Sequence, residues 1–244
     1  MSWMAIDPRA AESLALLGRQ RSHILLVLTD ASPGREPAFR DWLTGHYVAT
    51  LSAAQPVLAI NLYEQHEIDV TSGQHPRLPL RYLAICALSL DGAPQAEPII
   101  RQVMELHLSE MSARAPATWL YYPAGEKVGR APGVTPSLLT IAFANAIPGQ
   151  EDQFREWYAT QHIRHALNVP ALVSGQCFQL THFQMPGAIE AAFTTIAIYE
   201  QEDTPESMIE SFRSIPASAF HFPTMDLTRF SESVYRPLCA TRAG

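Results

Sequence analysis

The chain has 244 residues, of which 47% are hydrophobic and 17% charged, and a formal net charge of −7. That is the composition of an ordinary globular protein, long enough to bury a sizeable core. An acidic balance with one lysine, Lys127, and scattered arginines excludes broad binding to nucleic-acid phosphates.

Ile24–Asp30 is an apolar run of strand length. Pro33-Gly34 breaks it, and Glu36 to about Thr50 has helical spacing through Phe39, Trp42, Leu43 and His46. Gln55-Pro56 ends that helix, because the residue before proline is pushed out of the helical region. Strands are expected at Val57–Tyr63 and Tyr82–Leu90. A helix then runs from Pro98 through Ile99, Val103, Leu106 and His107, and Thr118–Tyr122 is the next strand. Residues 123–136, with three prolines and three glycines, have linker composition. The order then recurs: strand Leu138–Asn145, helix Glu151–Leu167, strands Leu172–Leu180 and Ala192–Tyr199, helix Pro205–Ser214, and a final strand at Thr224–Arg229.

The recurrence is also literal. Residues 32–42 and 147–157 share P-G-x-E-x-x-F-R-[D/E]-W, with Pro33 and Pro148 separated by 115 residues. This predicts an N-terminal extension at 1–22, a first repeat at 23–122, a linker at 123–136 and a second repeat at 137–244. Each repeat is an α+β, ferredoxin-like βαββαβ unit with both helices on one face of its sheet. The bare faces are expected to pack sheet to sheet, closing a barrel-like interior. Ile24–Leu28 is apolar at every position, as a strand covered on both sides would be.

The run from Ile147 to His162, followed by Val169-Pro-Ala-Leu-Val173, resembles the EthD-like branch of the dimeric α/β-barrel superfamily. The likeness is good over about 138–200 and weaker over 24–90. It implies two fused copies of that fold in one chain, and it points to His162 and Tyr158. It leaves activity open. The superfamily holds cofactor-free cyclases and isomerases, quinone-forming monooxygenases, and haem enzymes of the chlorite dismutase and dye-decolourising peroxidase types.

On the helix 151–167, Phe154, Tyr158, Gln161, His162 and His165 recur at spacings of three and four, hence on one face. An imidazole and a phenol in one crevice suit general acid–base work on an enolisable or hydroxylated molecule. His162 would shuttle the proton, Tyr158 would polarise an oxygen, and Phe154 with Trp157 would wall the pocket. Asn145, Gln176, His165 and His46 are further substrate-binding candidates. Asn145, like Asp30, also suits an Asx turn before Pro-Gly, and His165 borders the polar side marked by Arg164 and Asn168. In the first repeat Leu43 replaces the phenol, so that half is expected to be scaffold. His162, His165 and His182 lack a convergent carboxylate, so no metal site is expected. No phosphate loop and no nucleophile elbow occur.

The expected function is a cofactor-independent lyase, isomerase or cyclase acting on a small aromatic or enolisable substrate. The alternatives are a non-catalytic small-molecule-binding or accessory protein of this fold, and a haem enzyme with His162 as axial ligand. Three cysteines without metal spacing predict free thiols in a reducing cytoplasm. No membrane span and no signal-type N-terminal stretch are read. Homodimerisation through sheet edges is left open.

Overall fold

A computed structural model describes residues 22–71, 73–107, 111–112, 114–130, 138–185, 191–202, 204–215 and 222–242. Residues 1–21 of the N-terminal extension and 131–136 of the expected linker therefore lie outside the described residues. The first half contains β1 (His23–Thr29), α1 (Glu36–Trp42), a π-helical segment Leu43–Tyr47, α2 (Val48–Ser52), β2 (Val57–Gln65), β3 (Tyr82–Leu88), α3 (Glu97–His107) and β4 (Ala117–Pro123). After a short β5 (Val128–Gly129), the second half contains β6 (Leu138–Ala144), α4 (Glu151–Trp157) and a second π-helical segment, Tyr158–His162. It continues with α5 (Ile163–Ala166), β7 (Leu172–Leu180), β8 (Thr195–Gln201), α6 (Pro205–Arg213) and β9 (Ser231–Arg242).

Strand order is β4-β1-β3-β2 in one half and β9-β6-β8-β7 in the other, antiparallel at every pairing. The two sheets join at both edges, β2 to β9 and β7 to β4, which closes an eight-stranded barrel. Closure leaves no exposed strand edge within the barrel wall. The alternation along each strand then has a clear meaning. Ile24, Leu26 and Leu28 fill the interior with Trp119, Ile141 and Phe143. Leu25 and Val27 point outward beneath Phe39, Leu43 and Val103 of the helix layer. Burying each such side chain stabilises the fold by about 1.5–3 kcal/mol. The seam between halves is also tied by charge. The buried Glu64 of β2 meets Arg81 at 2.5 Å and Arg236 of β9 at 2.6 Å. Burial would raise this carboxyl, and the two guanidinium groups more than reverse that, holding it below the ordinary range.

The last strand was misplaced by the sequence pattern. Residues 224–229 form a turn and a short 3₁₀ helix, in which Asp226 accepts a hydrogen bond from the Thr228 backbone N–H at 3.0 Å. The strand begins at Ser231 and contains Pro237, which sits where the β2–β9 register shifts. Proline argues against a strand unless a bulge spares its missing donor, and here one does.

The only lysine has a structural partner. Lys127 Nζ lies 2.6 Å from Glu200 Oε2, which also accepts a hydrogen bond from Ser174 Oγ. Glu200 is buried at 3% exposure. The segment carrying Lys127 is held by β5, where Gly129 adopts φ +101° and a Cβ would meet the Val173 carbonyl oxygen at 2.3 Å. Lys127→Met is expected to cost about 3–5 kcal/mol in urea unfolding, because it strands a buried carboxylate. The double variant Lys127→Met/Glu200→Leu should recover most of that loss.

No helix among the described residues is long and apolar enough to cross a membrane.

Candidate active site

Both halves interrupt their first helix with a π-helical segment at the same place, after Trp42 and after Trp157. A π turn closes i to i+5, so residues five apart align. Trp157 and His162 thus come to 4.9 Å between ring centroids, and Trp42 and Tyr47 to 5.3 Å. Tyr47 is therefore the first-half counterpart of His162, at the same 115-residue offset as the two prolines. His46, read as the counterpart from helical spacing, is exposed. Around Tyr47 the first half is filled. His107 packs edge-on to Trp42 and Tyr47 at 5.4 and 5.0 Å, and its Nδ1–H donates to the Val103 carbonyl at 2.8 Å. Burial lowers this imidazole to about 4, so it stays neutral.

The second half opens instead into a cavity of about 230 Å³ between the outer face of its sheet and its helices. The π segment and α5 supply His162 and Ala166, and Ala142, Leu172, Tyr199 and Glu232 come from β6, β7, β8 and β9. Phe212, Arg213 and Ile215 close one side. A cap comes from the first half: Val70, Thr71, Gln74 and His75 of the β2–β3 connection line the same space, and the His75 ring lies 4.8 Å from Phe230, edge-on. The cavity thus needs both halves.

Its chemistry centres on Glu232. This residue pairs with Ala142 across β6–β9 and lies on the helix side with Val234, opposite the interior Tyr235. The Glu232 carboxyl is pushed up to about 7 by burial, with the Asp69 charge of the cap adding to it. Asp69 is itself fixed by Thr71 N–H at 2.8 Å, Thr71 Oγ1 at 2.6 Å and Gly73 N–H at 2.8 Å. Beside Glu232 stand two phenols. The Tyr158 and Tyr199 hydroxyls are buried and make no hydrogen bond among the described residues. Burial raises both far above the usual phenol range, and Glu232 and the Cys177 thiol raise them further. They stay protonated, as donors without an acceptor. A carboxyl that titrates near neutrality next to a fixed phenol donor can take a proton from carbon or oxygen and return it.

The other sequence candidates are dispersed. His162 lines the cavity, its ring stacked on Tyr158 at 4.3 Å and 12°. Tyr158, Phe154 and Trp157 are buried behind it rather than in the cavity wall, with Trp157 stacked on Phe222 at 4.5 Å. Asn145 ties two loops: its Nδ2 donates to the Ala192 carbonyl at 2.9 Å and its Oδ1 accepts from Thr194 N–H at 3.0 Å. Gln176 points to the other side of β7, donating to the Gly125 carbonyl at 2.9 Å. His165 and Gln161 face solvent, since the π turn rotates them off the inward face. Tyr199 and Glu232 were missed. No group of three or more His, Cys, Asp or Glu among the described residues could hold a metal ion.

The position of Tyr199 depends on one absent side chain. A Cβ on Gly175 would meet Tyr199 Cδ1 at 2.7 Å and Cε1 at 2.9 Å. Gly175→Ala is expected to push that ring into the cavity and to cost about 1–3 kcal/mol by overpacking. Urea unfolding measures the cost, and ligand titration should show weakened binding.

No family model matches the chain, and no curated protein sequence matches it. Solved structures of the same architecture do. One described as anthrone oxidase-like has a TM-score of 0.58 at 10% identity, covering 92% of this chain and 94% of its own. A protein assigned as a monooxygenase from Fusobacterium nucleatum gives 0.55 at 9% identity, covering 93% and 96%. A variant of chlorite dismutase from Candidatus Nitrospira defluvii gives 0.54 at 10% identity, covering 92% and 95%. At such identities the likeness establishes the fold, the α+β dimeric α/β barrel, within one chain.

Proposed function

We propose that the chain is an enzyme that moves a proton to and from an enolisable or phenolic small molecule, without a cofactor. Glu232 is the general base and acid, Tyr199 donates to the substrate oxygen, and His162 stands in the same wall as a second proton carrier. The observation that supports this most is the Glu232 carboxyl, held near 7 by burial in the wall of a cavity that Tyr199 also lines. A group titrating near the working pH is the most effective acid–base catalyst, contributing typically 10²–10⁴-fold in rate. Enolate formation opens lyase, isomerase and cyclase reactions. It also produces the electron-rich carbon that dioxygen attacks, which is compatible with the oxidase and monooxygenase names of the structural neighbours.

Haem is the rival raised by the chlorite dismutase neighbours, with His162 as the available imidazole. The size of the cavity favours a smaller ligand. An engineered cavity of about 150 Å³ takes up benzene, so 230 Å³ suits one or two rings. A tetrapyrrole is four rings around an iron and would require the helix layer to move.

The test is deuterium exchange by NMR in D₂O, using a panel of one- and two-ring aryl ketones and phenols. Wild type should exchange an acidic carbon-bound proton, Glu232→Gln should lose about 100-fold or more, and His46→Ala should be unaffected. Exchange that survives Glu232→Gln overturns the proposal. A Soret band on reconstitution with hemin, lost in His162→Ala, would favour haem instead. Ligand binding without exchange would favour an accessory role.

A further inference from the structure

The cavity is chemically uneven, and its unevenness describes a ligand. Its lining combines Glu232 and Tyr199, the apolar side chains of Leu172, Met225 and Phe212, and the exposed Arg213 and Gln74 with His75 of the cap. Arg213 is exposed at the end of α6 and makes no salt bridge among the described residues. Among the described residues it is the one arginine or lysine that lines this cavity, in a chain of net charge −7. An unpaired guanidinium at a cavity mouth is a ready partner for a carboxylate, which it can grip through two parallel hydrogen bonds. Asp69, the carboxylate of the cap, is engaged by Thr71 and Gly73.

We propose that the cavity selects a small organic acid of one or two rings, its carboxylate held at the mouth by Arg213 and its reactive carbon placed at Glu232. This rests on the proton-transfer reading of the cavity and adds the substrate class to it. A neutral analogue of the same shape would fill the apolar middle but leave Arg213 without a partner.

Calorimetric titration with matched acid and amide pairs decides it: benzoate and benzamide, phenylacetate and phenylacetamide, 1-naphthoate and 1-naphthamide. In wild type the best acid should bind about tenfold or more tightly than its amide, the scale of one charge-assisted hydrogen bond. In Arg213→Gln that preference should vanish while amide affinity stays the same. Arg213 is solvent-exposed, so the variant is expected to fold. Amides that bind as well as acids in wild type, or a preference that survives Arg213→Gln, overturn the Arg213 assignment and leave the proton-transfer reading standing. If neither series binds, the cavity is no ligand site, and both readings fall together.

Discussion

Glu232→Gln should become more stable than wild type on going from about pH 4 to about pH 8, by about 3 kcal/mol in relative terms. The sign follows from the direction of the shift. In the unfolded chain this carboxyl loses its proton near its ordinary value of 4.5, whereas in the folded chain it keeps it to about 7. Between those values the folded state binds a proton that the unfolded state has released. Wild-type stability therefore falls as pH rises through that window and levels off above it. Glutamine cannot titrate and removes this slope. Glu64, Asp69 and Asp226, whose carboxyls are depressed, act in the opposite direction at lower pH and are common to both proteins. Urea unfolding of the pair at several pH values isolates the Glu232 contribution without any substrate. A stability difference between the two proteins that stays the same from about pH 4 to about pH 8 would place Glu232 in an ordinary, hydrated environment. Under the proposed chemistry the same substitution should also remove catalysis, the stability cost and the activity being lost together.

Trp157→Ala is the second large effect, with an expected loss of about 3–5 kcal/mol. Trp157 is 5% exposed and packs on Phe154, Tyr158, His162 and Phe222, with ring centroids between 4.5 and 6.4 Å. For a domain of ordinary stability, about 5–15 kcal/mol, that is a third or more of the total. Trp42→Ala should cost less, since Trp42 is only half-buried. The comparison separates the two halves: the tryptophan is packing in both, but only in the second does it hold a cavity-lining imidazole. Trp157→Phe should restore most of the stability, whereas alanine should also free His162 to leave the cavity wall. Denaturant midpoints and the His162 NMR signals report these two outcomes.

The barrel was legible because its signals are local and repeated. Ile24–Leu28 is apolar on both parities, Pro-Gly breaks precede both first helices, and the P-G-x-E-x-x-F-R motif predicts the same element order in both halves. The site was legible only in part, for two physical reasons. First, helical spacing of three and four places Gln161 and His165 with His162, and that holds only while the helix is α-helical. The π segment Tyr158–His162 shifts alignment to five, which turns both outward and makes Tyr47 rather than His46 the equivalent residue. The 115-residue offset already carried that equivalence, and it was the better guide. Second, Glu232 lies in Ser-Glu-Ser-Val-Tyr-Arg-Pro, which resembles a polar, proline-broken loop. Its strand character comes from pairing with β2 and β6 on either side, and only barrel closure reveals that. Gly175 and Tyr199 are similar, two unremarkable strand residues whose fit decides the shape of the cavity.

The measurement closest to the central claim is a carbon-13 NMR titration of glutamate side-chain carboxyls, with the Glu232 signal identified by its absence in Glu232→Gln. A midpoint near 7 for that signal is the predicted result. A midpoint near 4.5, the value of a solvated glutamate, would remove the acid–base group on which the proposed chemistry depends.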